Sequence, residues 1–198
     1  MQNAQFTESY AQTNAELLTA IGFNVNLSPV MDMSNPNANS FISNRVFGSE
    51  PDEVTELSLA YAKGLSAAGM IPTAKHFPGH GGMVNDSHVK AAKKTATLEE
   101  LETRDLLPFM RFAEQTYPKA VMMAHMALPN VDPSNVPATY SRKLIEEILR
   151  AKVGGGADGV RPDREDAVEV VVDELRVVVE QHVLADLVGA LVLVYCRW

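Results

Sequence analysis

The sequence predicts an α/β fold in which parallel strands alternate with helices, and three observations carry that expectation. Helix-like and strand-like segments take turns in a regular order as far as Arg150. Glycines stand where two of the helices should stop, at Gly22 and Gly69. An apolar run at residues 70–74 opens directly into a cluster of titratable side chains. Parallel α/β folds collect functional groups at such a sheet edge.

The elements follow in order. Residues 8–21 place Tyr10, Ala11, Ala15, Leu17, Leu18 and Ile21 at helical spacing, with Gly22 as the C-cap. Residues 23–30 read as a strand, Asn24 and Asn26 alternating with Val25 and Leu27. Residues 31–49 form a long polar loop rich in Asn, Ser and Pro, and loops of that length in a compact domain are usually functional. A second amphipathic helix spans 53–68, followed by the strand 70–74. A third helix at 98–114, a third strand at 120–124 and a fourth helix at 141–150 complete the order, with Ser141 as N-cap of the last.

After Arg150 the character changes. Gly154, Gly155 and Gly156 precede Arg161, Pro162, Asp163, Arg164, Glu165 and Asp166, and then a valine-rich stretch with acidic interruptions. The sequence therefore divides into residues 1–150 and a divergent tail, 151–198. β-branched residues favour strand over 166–187 and the acidic spacing favours helix; helix is the expectation.

Composition narrows the function classes. The chain has 198 residues, 46% of them hydrophobic and 7% aromatic, enough for one domain with a core. Its net charge of −8, from 25 acidic and 17 basic residues, argues against nucleic-acid binding, which needs clustered cations. Neutral, sugar-like ligands fit better. The single cysteine, Cys196, excludes an internal disulfide and a cysteine-based zinc site. Residues 1–20 lack the design of a signal peptide, which gives a weak preference for the cytoplasm. The apolar run 183–195, interrupted by Asp186, is shorter than the roughly 20 residues of a membrane span.

Residues 75–88, K-H-F-P-G-H-G-G-M-V-N-D-S-H, hold three of the five histidines, a lysine, an aspartate and three glycines. Asp86 and His88 are close enough in sequence for a carboxylate to fix the imidazole tautomer, as a general acid/base near neutral pH requires; a solvated turn is the competing reading. Lys75 and His76, at the expected strand end, can donate hydrogen bonds to sugar hydroxyls. Pro78, Gly79, Gly81 and Gly82 allow a tight backbone course. A zinc site from His76, His80, His88 and Asp86 is disfavoured, because no spacing places two ligands on one helix face. Arg45, in N-R-V-F-G-S-E-P, is suited to a hydroxyl-rich or carboxylate ligand, or to a surface salt bridge. His125, after V-M-M-A, stands at a similar strand end and reads as a packing or supporting residue.

In this order the segments resemble glycoside hydrolase family 3, in its bacterial β-N-acetylglucosaminidase (beta-hexosaminidase) branch. The resemblance rests on G-F-N-V-N-L-S-P-V-M-D-M (22–33), N-R-V-F-G-S-E-P (44–51) and K-H-F-P-G-H-G with D-S-H four residues on. L-E-E-L-E-T-R-D-L-L-P-F (98–109), V-M-M-A-H-M (121–126) and P-A-T-Y-S-R-K-L-I-E-E-I-L-R (137–150) continue it. It implies part of a TIM (β/α)8 barrel and a retaining glycosidase without cofactor or metal, acting on terminal β-linked N-acetylglucosamine, typically of peptidoglycan fragments. By the resemblance His88 is the acid/base, Asp86 its partner, and Arg45, Lys75 and His76 bind sugar. A His/Asp dyad replaces the usual carboxylate pair.

A whole barrel takes ~200–250 residues and eight strands, so the resemblance implies truncation at both ends and an impaired catalyst. The family's nucleophile strand, of the type G-F-D-G-V-V-V-T-D, is expected after the fourth helix. Here A-D-G-V (157–160) is followed by Arg161, Pro162 and Asp163. Pro162 does not suit a central strand, and Asp163 is one position out of register. The expectation is a reading-frame shift near Val153, checked by translating the other two frames. The alternative to a hydrolase is a non-catalytic carbohydrate-binding remnant or an inactive fragment.

Overall fold

The computed structural model describes residues 3–34, 44–81, 92–117 and 119–154, together with the backbone of 169–171. Four parallel strands form one sheet in the order β1 (Val25–Asn26), β2 (Ile71–Phe77), β4 (Ala120–Met123), β6 (Glu169–Val171). A second parallel pair joins β3 (Ala92–Lys93) to β5 (Met126–Ala127). Helices α1 (Ala4–Ala20), α2 (Pro51–Ala67), α3 (Leu98–Glu100) and α4 (Leu107–Ala113) precede or link the strands. The α/β expectation holds, and among the described residues the strands form an open sheet, not a closed barrel.

Several boundaries differ from the sequence reading for identifiable reasons. The expected strand at 23–30 is regular only at Val25–Asn26, yet the chain stays beside β2. Asn24 O accepts from Ile71 N, Ser28 O from Thr73 N and Pro29 O from Lys75 N. Four residues are thus spent between bonds where β2 spends two, and Pro29 has no N–H for the ladder. Strand β2 runs to Phe77, so Lys75 and His76 lie within it and not just beyond it.

The expected helix at 98–114 is interrupted by a widened π turn at Leu101–Asp105, with Leu106 N bonding Leu101 O at 2.8 Å. Pro108 explains the widening, since it offers no hydrogen to the Arg104 carbonyl and its ring would collide with that turn. Thr97 and Glu100 form a reciprocal capping box at the start. The fourth helix is also wide, over Lys143–Val153, and Ser141 Oγ accepts from Leu144 N at 3.1 Å, as its capping role required. In the tail, Glu169–Val171 is a strand beside β4 where helix was expected. Valine's stiff χ1 suits the pleated backbone, and an otherwise open edge of β4 supplies the partner.

The core lies between the sheet and the helices that cross it. Phe77, Phe109, Phe112, Leu101, Leu106, Met123 and Leu144 are at most 1% exposed. Phe77 and Phe109 meet edge to face, centroids 5.3 Å apart. A smaller cluster, Ala11, Ala15, Leu65 and Met70, joins α1 to α2. The buried positions of α1 are therefore the small residues Thr7, Ala11 and Ala15, while Tyr10, Leu17 and Ile21 are 55%, 66% and 72% exposed.

Candidate active site

Because β2 and β4 are parallel and Phe77 is level with Met123, their C-terminal ends form one edge. The pairing slips there. Lys75 faces Met122 and Phe77 faces Met123, leaving His76 as the extra residue of a bulge. Its N–H leaves the ladder and points to Asp32, 3.3 Å from both carboxylate oxygens. The Lys75–His76 and Phe77–Pro78 peptide bonds are cis.

Asp32 is the centre of this edge. It is fully buried between Met31 and Met33, and its Oδ2 accepts the His76 Nδ1 hydrogen at 2.6 Å while its Oδ1 accepts from His80 N at 2.6 Å. A carboxylate offers acceptors only, so Nδ1 carries the hydrogen and Nε2 is the ring nitrogen that Asp32 leaves for another partner. Burial alone would raise the Asp32 carboxyl; the hydrogen bond and charge of His76 and the His80 amide outweigh it and hold the group below its ordinary range. Burial pushes the His80 ring down, against the pull of Asp32. The His76 and His80 rings stand edge to face at 5.9 Å.

The turn after His76 is equally constrained. Gly79 has φ +115°, closed to most side chains, and a Cβ there would lie 2.7 Å from the Asp105 side chain. Asp105 pairs with Lys94 at 2.6 Å, both side chains nearly buried. Burial raises the Asp105 carboxyl, with Lys94 opposing.

Of the residues singled out in the sequence, Lys75 and His76 are neighbours on β2, Lys75 half-buried and His76 buried. Arg45 is exposed. Its segment is anchored next to Asp32, Gly48 O accepting from Ser34 N at 2.8 Å, and Ser49 O accepts from Arg104 at 3.1 Å. His125 leaves β4 at the same edge, its Nδ1 bonded to Thr139 Oγ1 at 2.9 Å and its ring against Tyr140. Asp86 and His88 lie outside the described residues. Among the described residues no group of three or more His, Cys, Asp or Glu is placed to hold a metal ion.

Asp32, Lys94 and Asp105 escaped the sequence reading. For Asp32 a signal exists, since a lone carboxylate in V-M-D-M is rarely buried unpaired. Its position at the start of the polar stretch 31–49 obscures that signal.

Residues 1–178 match the model of the glycosyl hydrolase family 3 N terminal domain. The chain belongs to this family. The family 3 relative "Beta-hexosaminidase" of Xanthomonas axonopodis pv. citri is 41% identical over 146 residues, 74% of this chain and 42% of the relative. Zinc-bound CbsA from Thermotoga neapolitana is 38% identical with TM-score 0.73, over 77% of this chain and 32% of that one. NagZ from Neisseria gonorrhoeae in complex with N-trifluoroacetyl-D-glucosamine is 36% identical with TM-score 0.69, over 75% of this chain and 42% of that one. The family 3 domain is a TIM-barrel-like α/β fold, and this chain spans less than half the length of each of these relatives.

Proposed function

We propose that the chain carries the sugar-binding and acid/base part of a family 3 β-N-acetylhexosaminidase that cleaves terminal β-linked N-acetylglucosamine with retention. The observation that carries the reading is His76, fixed by the buried Asp32 at the C-terminal edge of the parallel sheet. An imidazole with one nitrogen locked inward offers the other in a fixed direction, which suits a sugar hydroxyl. Lys75, the preceding residue of β2, and Arg45 supply further charged donors. His88 protonates the glycosidic oxygen as C1 passes to the carboxylate of the family's aspartate nucleophile, which is not assigned among these residues. It then takes the proton of the water that displaces that carboxylate from C1, with Asp86 orienting its ring. The beta-hexosaminidase relatives and the N-acylglucosamine complex of the NagZ neighbour support the sugar class.

The chain spans 42% of its Xanthomonas relative, which favours a second, narrower reading: binding without turnover by this chain alone. Calorimetry with N-acetylglucosamine and a chromogenic β-N-acetylglucosaminide assay test both. The expected result is sugar binding abolished by His76→Ala, with turnover no greater than in a His88→Ala control. Absence of sugar binding by the unmodified, folded chain overturns the proposal; turnover well above the control overturns only the narrower reading.

A further inference from the structure

Lys94 is absorbed by none of the roles above, yet it is one of the most constrained cations of the described residues. It follows β3, its N–H bonded to Ala127 O at 2.9 Å, and its ammonium reaches back to the turn after His76. Nζ donates to Gly79 O at 2.9 Å, to Gly81 O at 3.4 Å and to Asp105 Oδ1 at 2.6 Å. Its side chain is 13% exposed and that of Asp105 10%. An ammonium has three hydrogens, and here each has an acceptor.

The turn is thus gripped from two sides. Lys94 holds the carbonyls of Gly79 and Gly81, while Asp32 takes the N–H of His80 between them. The remaining sides are closed, because a Cβ at Gly81 would lie 2.1 Å from Met33 O and one at Gly79 would strike Asp105. The same Asp32 carboxylate binds the His76 ring. A shift of the turn that draws His80 N away leaves Asp32 Oδ1 only the longer bond from His76 N at 3.3 Å, which loosens the carboxylate and the His76 ring it holds.

We propose that Lys94 is a positioning residue for the sugar-binding edge: held by Asp105, it fixes the turn at Gly79 and Gly81, and through His80 and Asp32 it sets the direction of the His76 imidazole. The link to sugar rests on the glycosidase reading. The clamp itself does not.

The test uses the full chain with Lys94→Met, Lys94→Arg and Asp105→Asn. Three quantities are read: amide exchange at His80, the imidazole nitrogen signals of His76, and affinity for N-acetylglucosamine. In Lys94→Met the His80 amide should exchange at least about tenfold faster through local opening, with the His76 nitrogen signals displaced and the sugar bound several-fold more weakly. Lys94→Arg, whose guanidinium can still donate to both carbonyls and the carboxylate, should recover most of each effect. Unchanged His80 exchange and His76 signals in folded Lys94→Met overturn the proposal. If that variant does not fold, Asp105→Asn decides, with faster His80 exchange supporting the clamp and unchanged exchange overturning it. Failure of the unmodified chain to bind sugar sinks the glycosidase reading, while the exchange and imidazole signals still decide the clamp.

Discussion

The Asp32 carboxylate takes the Nδ1 hydrogen of His76 at 2.6 Å across 44 positions of sequence, with Asp32 0% and His76 9% exposed. This pair is the most consequential contact at the sheet edge, because the same carboxylate also receives the amides of His76 and His80.

Asp32→Asn should be strongly destabilising although it preserves shape. The amide keeps one acceptor and presents an NH2 group to N–H donors. Each buried donor left without an acceptor costs about 1–3 kcal/mol, more where charge is involved. Urea unfolding checks this, and a variant within about 0.5 kcal/mol of the parent would show that the pair carries little energy.

Stability should fall in two stages on acidification. Burial holds the His80 ring below its ordinary 6.5, so the folded state binds fewer protons than the unfolded one; that contribution is complete above 6.5 and declines as pH drops below it. Asp32 lies below its ordinary 3.8, so its contribution is complete above 3.8 and is lost as pH falls through the lower folded value. Asp105, raised by burial, acts with the opposite sign: its folded state gains relative stability as pH falls through its raised value towards 3.8. Denaturant midpoints against pH should lose the upper stage in His80→Asn and the lower one in Asp32→Asn. A parent profile flat from pH 7 to 3 would contradict both assignments.

On α1 the ranking of residues should invert what hydrophobicity suggests. Ala15 is fully buried against α2, so Ala15→Leu should overpack and cost about 1–3 kcal/mol. Leu17 is 66% exposed, and Leu17→Ala should change stability by about 0.5 kcal/mol or less. Thermal unfolding of the two variants separates the cases.

The alternation of elements was legible because helix and strand periodicities are local. Residues 8–21, 53–68 and 98–114 carry helical spacing, and Ser141 a capping signal, that neighbours within a few positions suffice to show. Local pattern was less informative about which face is buried, since on α1 Ala11 and Ala15 allow the close approach to α2 while Tyr10 and Leu17 remain outside. The break at Leu101–Asp105 has a local cause, Pro108, that lies within the same segment of sequence.

The site divides along the same line. The density of titratable groups at residues 75–88 and the order of motifs sufficed to assign the family, and Lys75 and His76 stand together on β2. The reasons for their geometry were not local. The bulge at His76 exists only against β4, the carboxylate that captures its freed N–H arrives from residue 32, and the cation that grips the next turn arrives from residue 94, held by residue 105. Sequence by itself determined the α/β class, the family and the stretch where donors concentrate, because short-range periodicity and motif order encode them. Only the tertiary structure decided which buried charges hold those donors in place, because a carboxylate or an ammonium becomes a fixed point only when distant segments bring it partners and exclude water.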